Sequence, residues 1–481
     1  MEIIVDQIGR VLQLAALQHP ERIALKTTDG LCRTYAELDH RTTRLANALL
    51  AAGFQPGDRI AAWSGTCPQY LELYLGIAKA GLVLVPVNSF FTEHEAAYQL
   101  EDSGAIGMFY SPDKHDDAIA LGRRLALRRL IAFDHWHDPA GEYEQFLSAG
   151  DPEQLPHPNE NALFVLSYTS GTTGRPKGAM VTHRSMKNTM RTLAHSYRTP
   201  QGSVLLYHAN MSFVATVLAL LLGHIFVRGT IVMLTPVNGP ESVLEAIGRE
   251  KATFTFIASP WIGPMTELVR QNPESWRQMR SVVHSASKAP AEQLEQWGAA
   301  VGPCFLEGWG MTEGSGSLFT VTDVDDVAIG SRAKDFYASV GRAALDVAIR
   351  VVDDEGEEVP HDGESIGELV VYTPALVVGY WNNEEATRKS FIDGWFHTGD
   401  LGAIDEAGYV YIAERRTDLI ISGGMNIYPS ELEACISALD GVADVCVVGA
   451  PHARWGESPV AFVVMAEGAS LTEEQVLDHC K

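Results

Sequence analysis

Apolar residues recur at helical spacing through the opening stretch, MEIIVDQIGRVLQLAALQHPER, and again through TYAELDHRTTRLANALLAAG, which begins at Thr34 and stops at Gly53. Each pattern predicts an amphipathic helix, the second closed by its glycine. The period then changes. GDRIAAW and GLVLVPVN are short continuous apolar runs flanking a helical stretch from Tyr70 to Ala80, and ATFTFIASP (252–260) and SVVHSAS (281–287) repeat that texture. Strands that are apolar throughout are buried on both faces, so this alternation predicts an α/β fold of parallel sheets covered by helices. The most apolar stretch, Phe213 to Val227, contains His224, ends at Arg228 and is shorter than the ~20 residues a membrane-spanning helix needs, so a buried helix is expected and no transmembrane segment.

After Gly330 the runs shorten. VAIRVVD, GELVVY and YVYIAE, divided by Gly, Asp and Pro turns, predict a small antiparallel, barrel-like sheet completing a large N-terminal domain, residues 1–416. A second boundary falls near Arg415 to Asp418. Beyond it DLIISGG, the helical SELEACISAL and the strands VADVCVVGA and ESPVAFVVMA predict a small α+β domain, residues 417–481. Thr472 and Gln475 form a capping box that opens a further helix, and with Lys481 following so closely this domain is expected to be incomplete.

Composition narrows the function classes. The 481 residues exceed the size at which one core stops growing, and 46% of them are hydrophobic. With 36 basic against 61 acidic side chains the formal charge is -25, which opposes nonspecific binding to nucleic acid or anionic lipid. A polyanionic ligand must therefore meet a local positive pocket. Six cysteines show neither CxxC nor HxxxH spacing, which argues against a zinc site and a disulfide framework. The N-terminus lacks the pattern of a secretory signal, and a reducing cytoplasm is the expected location.

The strongest chemical signal runs from Tyr168 to Gly178, YTSGTTGRPKG, after the apolar strand ALFVL. Gly171, Gly174 and Gly178 let backbone N–H groups approach an oxyanion, while Thr169, Ser170, Thr172, Thr173 and Lys177 add donors and charge. It is not a Walker A loop, because Gly178 follows Lys177 where Ser or Thr is required. On composition alone it is either a phosphate cradle or an ordinary Gly/Thr turn.

This loop resembles the phosphate-loop signature of the acyl-adenylate-forming (AMP-binding) superfamily, which includes acyl-CoA synthetases, peptide-synthetase adenylation domains and luciferases. Further matches follow in the family's order. GWGMTE (308–313) is similar to its adenine and magnesium motif, WFHTGD (395–400) to its ribose motif, ERRTD (414–418) to its domain hinge, and ISGGMNIYPSELE (421–433) to its C-terminal segment. With TYAEL and GDRIA near the start, the resemblance covers nearly the whole chain. It implies that Trp309 stacks the adenine, that Thr312 donates to the α-phosphate and that Glu313 holds Mg²⁺, a hard ion suited to carboxylate and phosphate oxygens. Asp400 is assigned the ribose hydroxyls and Arg415 ribose or phosphate, while Ser422, Gly423 and Gly424 are placed toward the pantetheine arm of coenzyme A. Each also has a plain reading, as core, turn or surface residue. Ser285 and Ala286, in the small-residue loop SASKA, and His208, in LLYHANMSF, are the candidate acyl-side residues; a satisfied core histidine is the alternative for His208.

The function implied is an ATP-dependent acyl-CoA synthetase with Lys177, Thr312 and Glu313 as the catalytic set. It joins a fatty or aromatic carboxylate to AMP, releasing pyrophosphate, and then passes the acyl group to coenzyme A. The expected partners are small molecules alone, ATP, coenzyme A and the carboxylate, with a homodimer as the candidate assembly. Alternatives are an adenylating enzyme that loads a carrier protein, a luciferase-like oxygenase, and a non-catalytic nucleotide or acyl binder. Where amino-acid activators carry SFDAS the nearest stretch is SFVAT (212–216), and Val214 cannot pair an ammonium. Two departures stand out. Thr417 occupies a hinge position where relatives carry Asp or Lys, and the family's late Gly-Lys lysine has no counterpart before Lys481, so adenylation is expected to be weakened more than thioester formation.

Overall fold

Threonines start several of the helices. Thr34, Thr92 and Thr182 each close a reciprocal capping box, with Glu37, Glu95 and Ser185, and so open Tyr35–Ala51, Glu93–Ser103 and His183–Ser196. Gly81, in the left-handed region at φ 69, ends Pro68–Ala80. The first amphipathic pattern forms Ile8–Gln18. The computed structural model describes residues 7–136, 138–156, 158–169, 176–285, 289–322, 335–415, 420–422, 425–427, 429–452 and 456–480. Two compact units divide the chain: Met1–Arg332 with Phe336–Ala348 and Tyr372–Gly394, and Ala333–Asp335 with Ile349–Val371 and Trp395–Lys481.

The first unit holds two helix-covered sheets. One has six strands in the order Arg129–Ala132, Gly107–Tyr110, Arg59–Trp63, Val83–Val87, Leu163–Thr169, Lys177–Thr182. The other has seven, in the order Phe305–Glu307, Ser281–His284, Phe254–Phe256, Val204–Tyr207, Thr230–Met233, Ile23–Thr27, Cys32–Thr34. Pairing is parallel, as the apolar runs predict, except at one edge of each sheet, where Leu163–Thr169 meets Lys177–Thr182 and Ile23–Thr27 meets Cys32–Thr34 antiparallel. The glycine-rich segment therefore joins two arms of a hairpin before the helix after Thr182.

Helix Pro68–Ala80 is buried along its whole length, charged residues included. Glu72 is held by Arg41 at 2.6 Å and by the Tyr143 hydroxyl at 2.9 Å, and Lys79 by Asp39 at 2.6 Å. Burial of such charges requires this pairing.

The expected helix over Phe213 to Val227 is less regular than its hydrophobicity suggests. Val214–Thr216 is one short helical turn, Val217–Leu221 is a π segment and Leu222–Phe226 returns to α geometry. Gly316 packs against it, where a Cβ would lie 3.0 Å from that of Leu218. His224 donates from Nδ1 to the Leu220 carbonyl at 2.8 Å, and burial pushes its pKa down to about 4.

In the second unit, one sheet runs in the order Ala348–Val352, Gly367–Tyr372, Trp395–Ile404, Val410–Arg415, its last two pairings antiparallel. Another orders Met425–Ile427, Ile420–Ser422, Gly456–Met465 and Val442–His452, with the helix Pro429–Ser437 between its strands in sequence. Ile420, Ile436 and Val447 form a small core there. Thr472 and Gln475 cap Glu473–His479 as their spacing predicts. Among the described residues no helix is long and apolar enough to cross a membrane.

Candidate active site

Two facing strands carry the ends of the phosphate-loop signature. Thr169 lies opposite Lys177 and Tyr168 opposite Gly178. Ser170, Gly171, Thr172, Thr173 and Gly174 lie outside the described residues. The hairpin is fixed from several directions. Tyr168 donates to Asp102 at 2.6 Å, Tyr98 donates to the Pro176 carbonyl at 3.0 Å, and the Trp381 amide donates to the Gly178 carbonyl at 2.8 Å. Burial, and then the hydrogen bond to Asp102, raise the Tyr168 phenol so that it stays a neutral donor. Lys177 lies over the Tyr380 ring, 5.4 Å from its centroid, and forms no ion pair among the described residues.

Facing this hairpin is the turn Thr312–Gly314. Its geometry follows from the glycines before it. A Cβ on Gly308 would lie 2.3 Å from Leu318 Cδ1, and one on Gly310 2.4 Å from the Ser317 carbonyl oxygen, so only glycine lets the chain fold back on residues 317–320. Ser315, left-handed at φ 55, donates to Ser185 at 3.0 Å, and Thr189 donates to the Gly314 carbonyl at 3.3 Å. The turn is thereby tied to helix His183–Ser196.

Glu313, buried within it, accepts from the Tyr380 hydroxyl at 2.8 Å, with Thr169 Oγ1 at 3.5 Å from the same oxygen, Oε1. Its other oxygen makes no hydrogen bond among the described residues. A buried carboxylate with neutral donors on one oxygen and, among the described residues, none on the other is suited to a hard cation completed by phosphate and water oxygens. Burial, and then the Glu313 charge, push the Tyr380 phenol up, so it stays protonated and donates to Glu313. Trp309 is buried, edge-on to Phe319 at 5.2 Å.

Thr312 also lines a cavity of about 690 Å³, together with His208, Phe213, Trp261, Ser285 and Tyr168. Leu218 does not line it and is fully buried against Gly316. His208 stacks on Trp261 at 5.3 Å and 10° and donates from Nε2 to the Phe256 carbonyl at 2.7 Å. Burial drives its pKa down to about 4, so the imidazole at the cavity wall is neutral. Ala286 lies outside the described residues.

In the second unit Asp400 is buried on Trp395–Ile404 and is paired in register with Arg415. A bulge places it. The partner strand shifts register between Glu368 and Val370, Gly399 turns at φ 73, and its amide donates to Glu368 at 3.1 Å. Ser422 is paired with Met425 and Gly456. Gly423 and Gly424 lie outside the described residues.

The profile of the AMP-binding enzyme family matches residues 12–381, and that of the AMP-binding enzyme C-terminal domain matches 431–481. The chain belongs to the AMP-binding enzyme family. It is 35% identical over 454 residues to a feruloyl-CoA synthase of an Amycolatopsis species, covering 93% of this chain and 87% of that protein. A long-chain-fatty-acid–CoA ligase, FadD13 of Mycobacterium tuberculosis, is 31% identical over 480 residues, covering 98% and 91%. The ATP-bound crystal structure of MatB from Rhodopseudomonas palustris superposes with a TM-score of 0.88 at 32% identity, covering 98% of this chain and 91% of that one. The α/β architecture with a small C-terminal part is thus the fold of this family of adenylating enzymes. Sequence reasoning passed over Tyr380. Nothing in VVGYWN beyond its position after a glycine marks it, because its link to Glu313 is purely tertiary.

Proposed function

We propose that the protein is an AMP-forming acyl-CoA synthetase acting on a fatty or aromatic carboxylate. The observation that carries this reading is Glu313. Its carboxylate is fixed by Tyr380 on one oxygen and is unengaged on the other among the described residues, and the same turn, through Thr312, lines a largely apolar cavity. Phosphate chemistry and carboxylate binding thereby share one turn.

Adenylation brings a carboxylate anion against a polyphosphate, and its barrier is largely that repulsion. Lys177, which forms no ion pair among the described residues, is assigned to offset it, and Thr312 is assigned a donor role toward the α-phosphate. Glu313 would hold Mg²⁺, which supplies positive charge to the phosphates when bound. Neutral His208 adds no second cation at the cavity wall, and with its one N–H given to the Phe256 carbonyl it bounds the acyl side by shape. Thr169 and the loop it opens are assigned to the phosphates, Trp309 to the adenine, Asp400 to the ribose hydroxyls and Arg415 to ribose or phosphate. Ser285 and Ala286 are assigned to the acyl side and Ser422 to Gly424 to coenzyme A. All six cysteines are free thiols, which agrees with the cytoplasmic location we assign.

Incubation with ATP, Mg²⁺, coenzyme A and a set of fatty, aromatic and amino acids, read by mass spectrometry, tests the reading. An acyl-CoA is the expected product. An acyl-adenylate that never becomes a thioester points instead to a carrier-protein acceptor, and absence of either product contradicts the synthetase reading.

A further inference from the structure

Next to the main cavity lies a smaller chamber of about 90 Å³. Ala215, Thr216, Phe256 and Ser285 line both, so the chamber extends the same pocket. Part of its lining is small. Ala215 and Ala219 come from the irregular helical segment, and Gly310, Gly316 and Ser317 from either side of the Thr312 turn. Gly316 sits at φ 77 and a Cβ there would meet Leu218 and Ala215, so glycine is what allows the two walls to approach. The π segment supplies Ala219 and Leu220 to the lining, and such insertions gather at functional sites.

Tyr197 lines this chamber and not the main cavity. Its ring packs on Phe254 at 5.6 Å and its carbonyl accepts from Ser281 at 2.7 Å. Phe254 and Ser281 begin their strands, whereas Phe256 and Ser285 lie at the opposite ends, beside the main cavity. Tyr197 therefore stands at the far end of the pocket. It is buried, and its hydroxyl makes no hydrogen bond with any described residue.

We infer that the acyl substrate is an aryl carboxylate bearing a hydrogen-bonding ring substituent, such as a hydroxyl, that meets the Tyr197 hydroxyl at the end of the chamber. This rests on the synthetase reading above. An apolar cavity of about 150 Å³ encloses a whole benzene. A space of about 90 Å³ holds the outer part of one ring whose remainder sits in the mouth, and it is too small for a long alkyl chain. A flat ring between small walls also loses less freedom on ordering than a flexible chain. In surroundings this largely apolar, a polar tip on the substrate needs a partner, and at the far end the Tyr197 hydroxyl can provide it.

The test compares initial rates of acyl-CoA formation from 4-hydroxycinnamate, cinnamate, hexadecanoate and butanoate. The wild-type protein should prefer 4-hydroxycinnamate. Tyr197→Phe should lower the ratio of its kcat/KM to that of cinnamate about tenfold, chiefly through KM. Ala219→Leu, which fills the chamber, should shift preference from both aryl acids toward butanoate. Preference for hexadecanoate, an unchanged aryl-acid ratio in Tyr197→Phe, or undiminished aryl turnover in Ala219→Leu overturns the inference and leaves the synthetase reading standing. No acyl-CoA from any of the four acids overturns that reading and the inference with it.

Discussion

The hydroxyl of Tyr380 donates to Glu313 Oε1 at 2.8 Å, and the same phenol ring lies under the Lys177 ammonium at 5.4 Å. One side chain thus organises both charged groups assigned to the phosphates. Tyr380→Phe keeps the ring and removes the hydrogen bond. A hydrogen bond to a charged group contributes about 1.5–3 kcal/mol, so ATP–pyrophosphate exchange should fall roughly 10- to 100-fold. Thioester formation from a supplied acyl-adenylate should change far less. Equal losses in both half-reactions would show that the bond supports the fold in general and not the phosphate site.

Gly310 gives a steric test. A Cβ there would meet the Ser317 carbonyl oxygen at 2.4 Å and Leu318 Cα at 2.8 Å, both backbone atoms with little freedom to yield. Gly310→Ala should cost about 1–3 kcal/mol of stability by urea unfolding and displace the Thr312–Glu313 turn, reducing exchange activity. Gly65→Ala, where a Cβ meets nothing within 4 Å, is the control and should alter neither.

Two buried histidines set a pH dependence. His208 and His224 have pKa values lowered by burial from the ordinary 6.5 to about 4. Between those values the unfolded chain binds more protons than the folded one. Their contribution to stability is therefore fully present above the unfolded pKa and is lost as pH falls toward 4, at about 1.4 kcal/mol per pH unit for each. Urea midpoints measured from neutral to mildly acidic pH should drop more steeply in the wild type than in His224→Gln. Parallel curves for the two proteins would rule this contribution out.

The Arg41 network is expected to serve the fold alone. Arg41 bridges Glu72 and Glu144, each at 2.6 Å, and Glu72 is almost wholly buried. Arg41→Ala leaves that carboxylate without its cation and should destabilise the protein by about 3–5 kcal/mol. Below the lowered melting temperature, KM for ATP should match the wild type; a changed KM would contradict a purely structural role.

Periodicity and capping residues made much of the architecture legible. Thr34 and Thr182 start helices, and GDRIAAW and GLVLVPVN form neighbouring parallel strands, because burial and local hydrogen bonding act through residues close in sequence. The hairpin after Thr169 and the π segment at Val217 were not legible. The first depends on strand Lys177–Thr182 finding a sheet edge, and the second on Gly316, nearly a hundred residues downstream, opening space for it. The site divides in the same way. Lys177, Thr312 and Glu313 stand in motifs, whereas Tyr380 and Tyr197 acquire meaning only from what they touch.

The adenylate itself is the central claim, and an isotope measurement reaches it directly. The protein would be incubated with ATP, Mg²⁺, coenzyme A and a carboxylic acid whose two carboxyl oxygens are heavy. Attack of that carboxylate on the α-phosphate predicts acyl-CoA, pyrophosphate and AMP carrying one heavy oxygen. Formation of ADP, or of AMP without the label, would contradict the account.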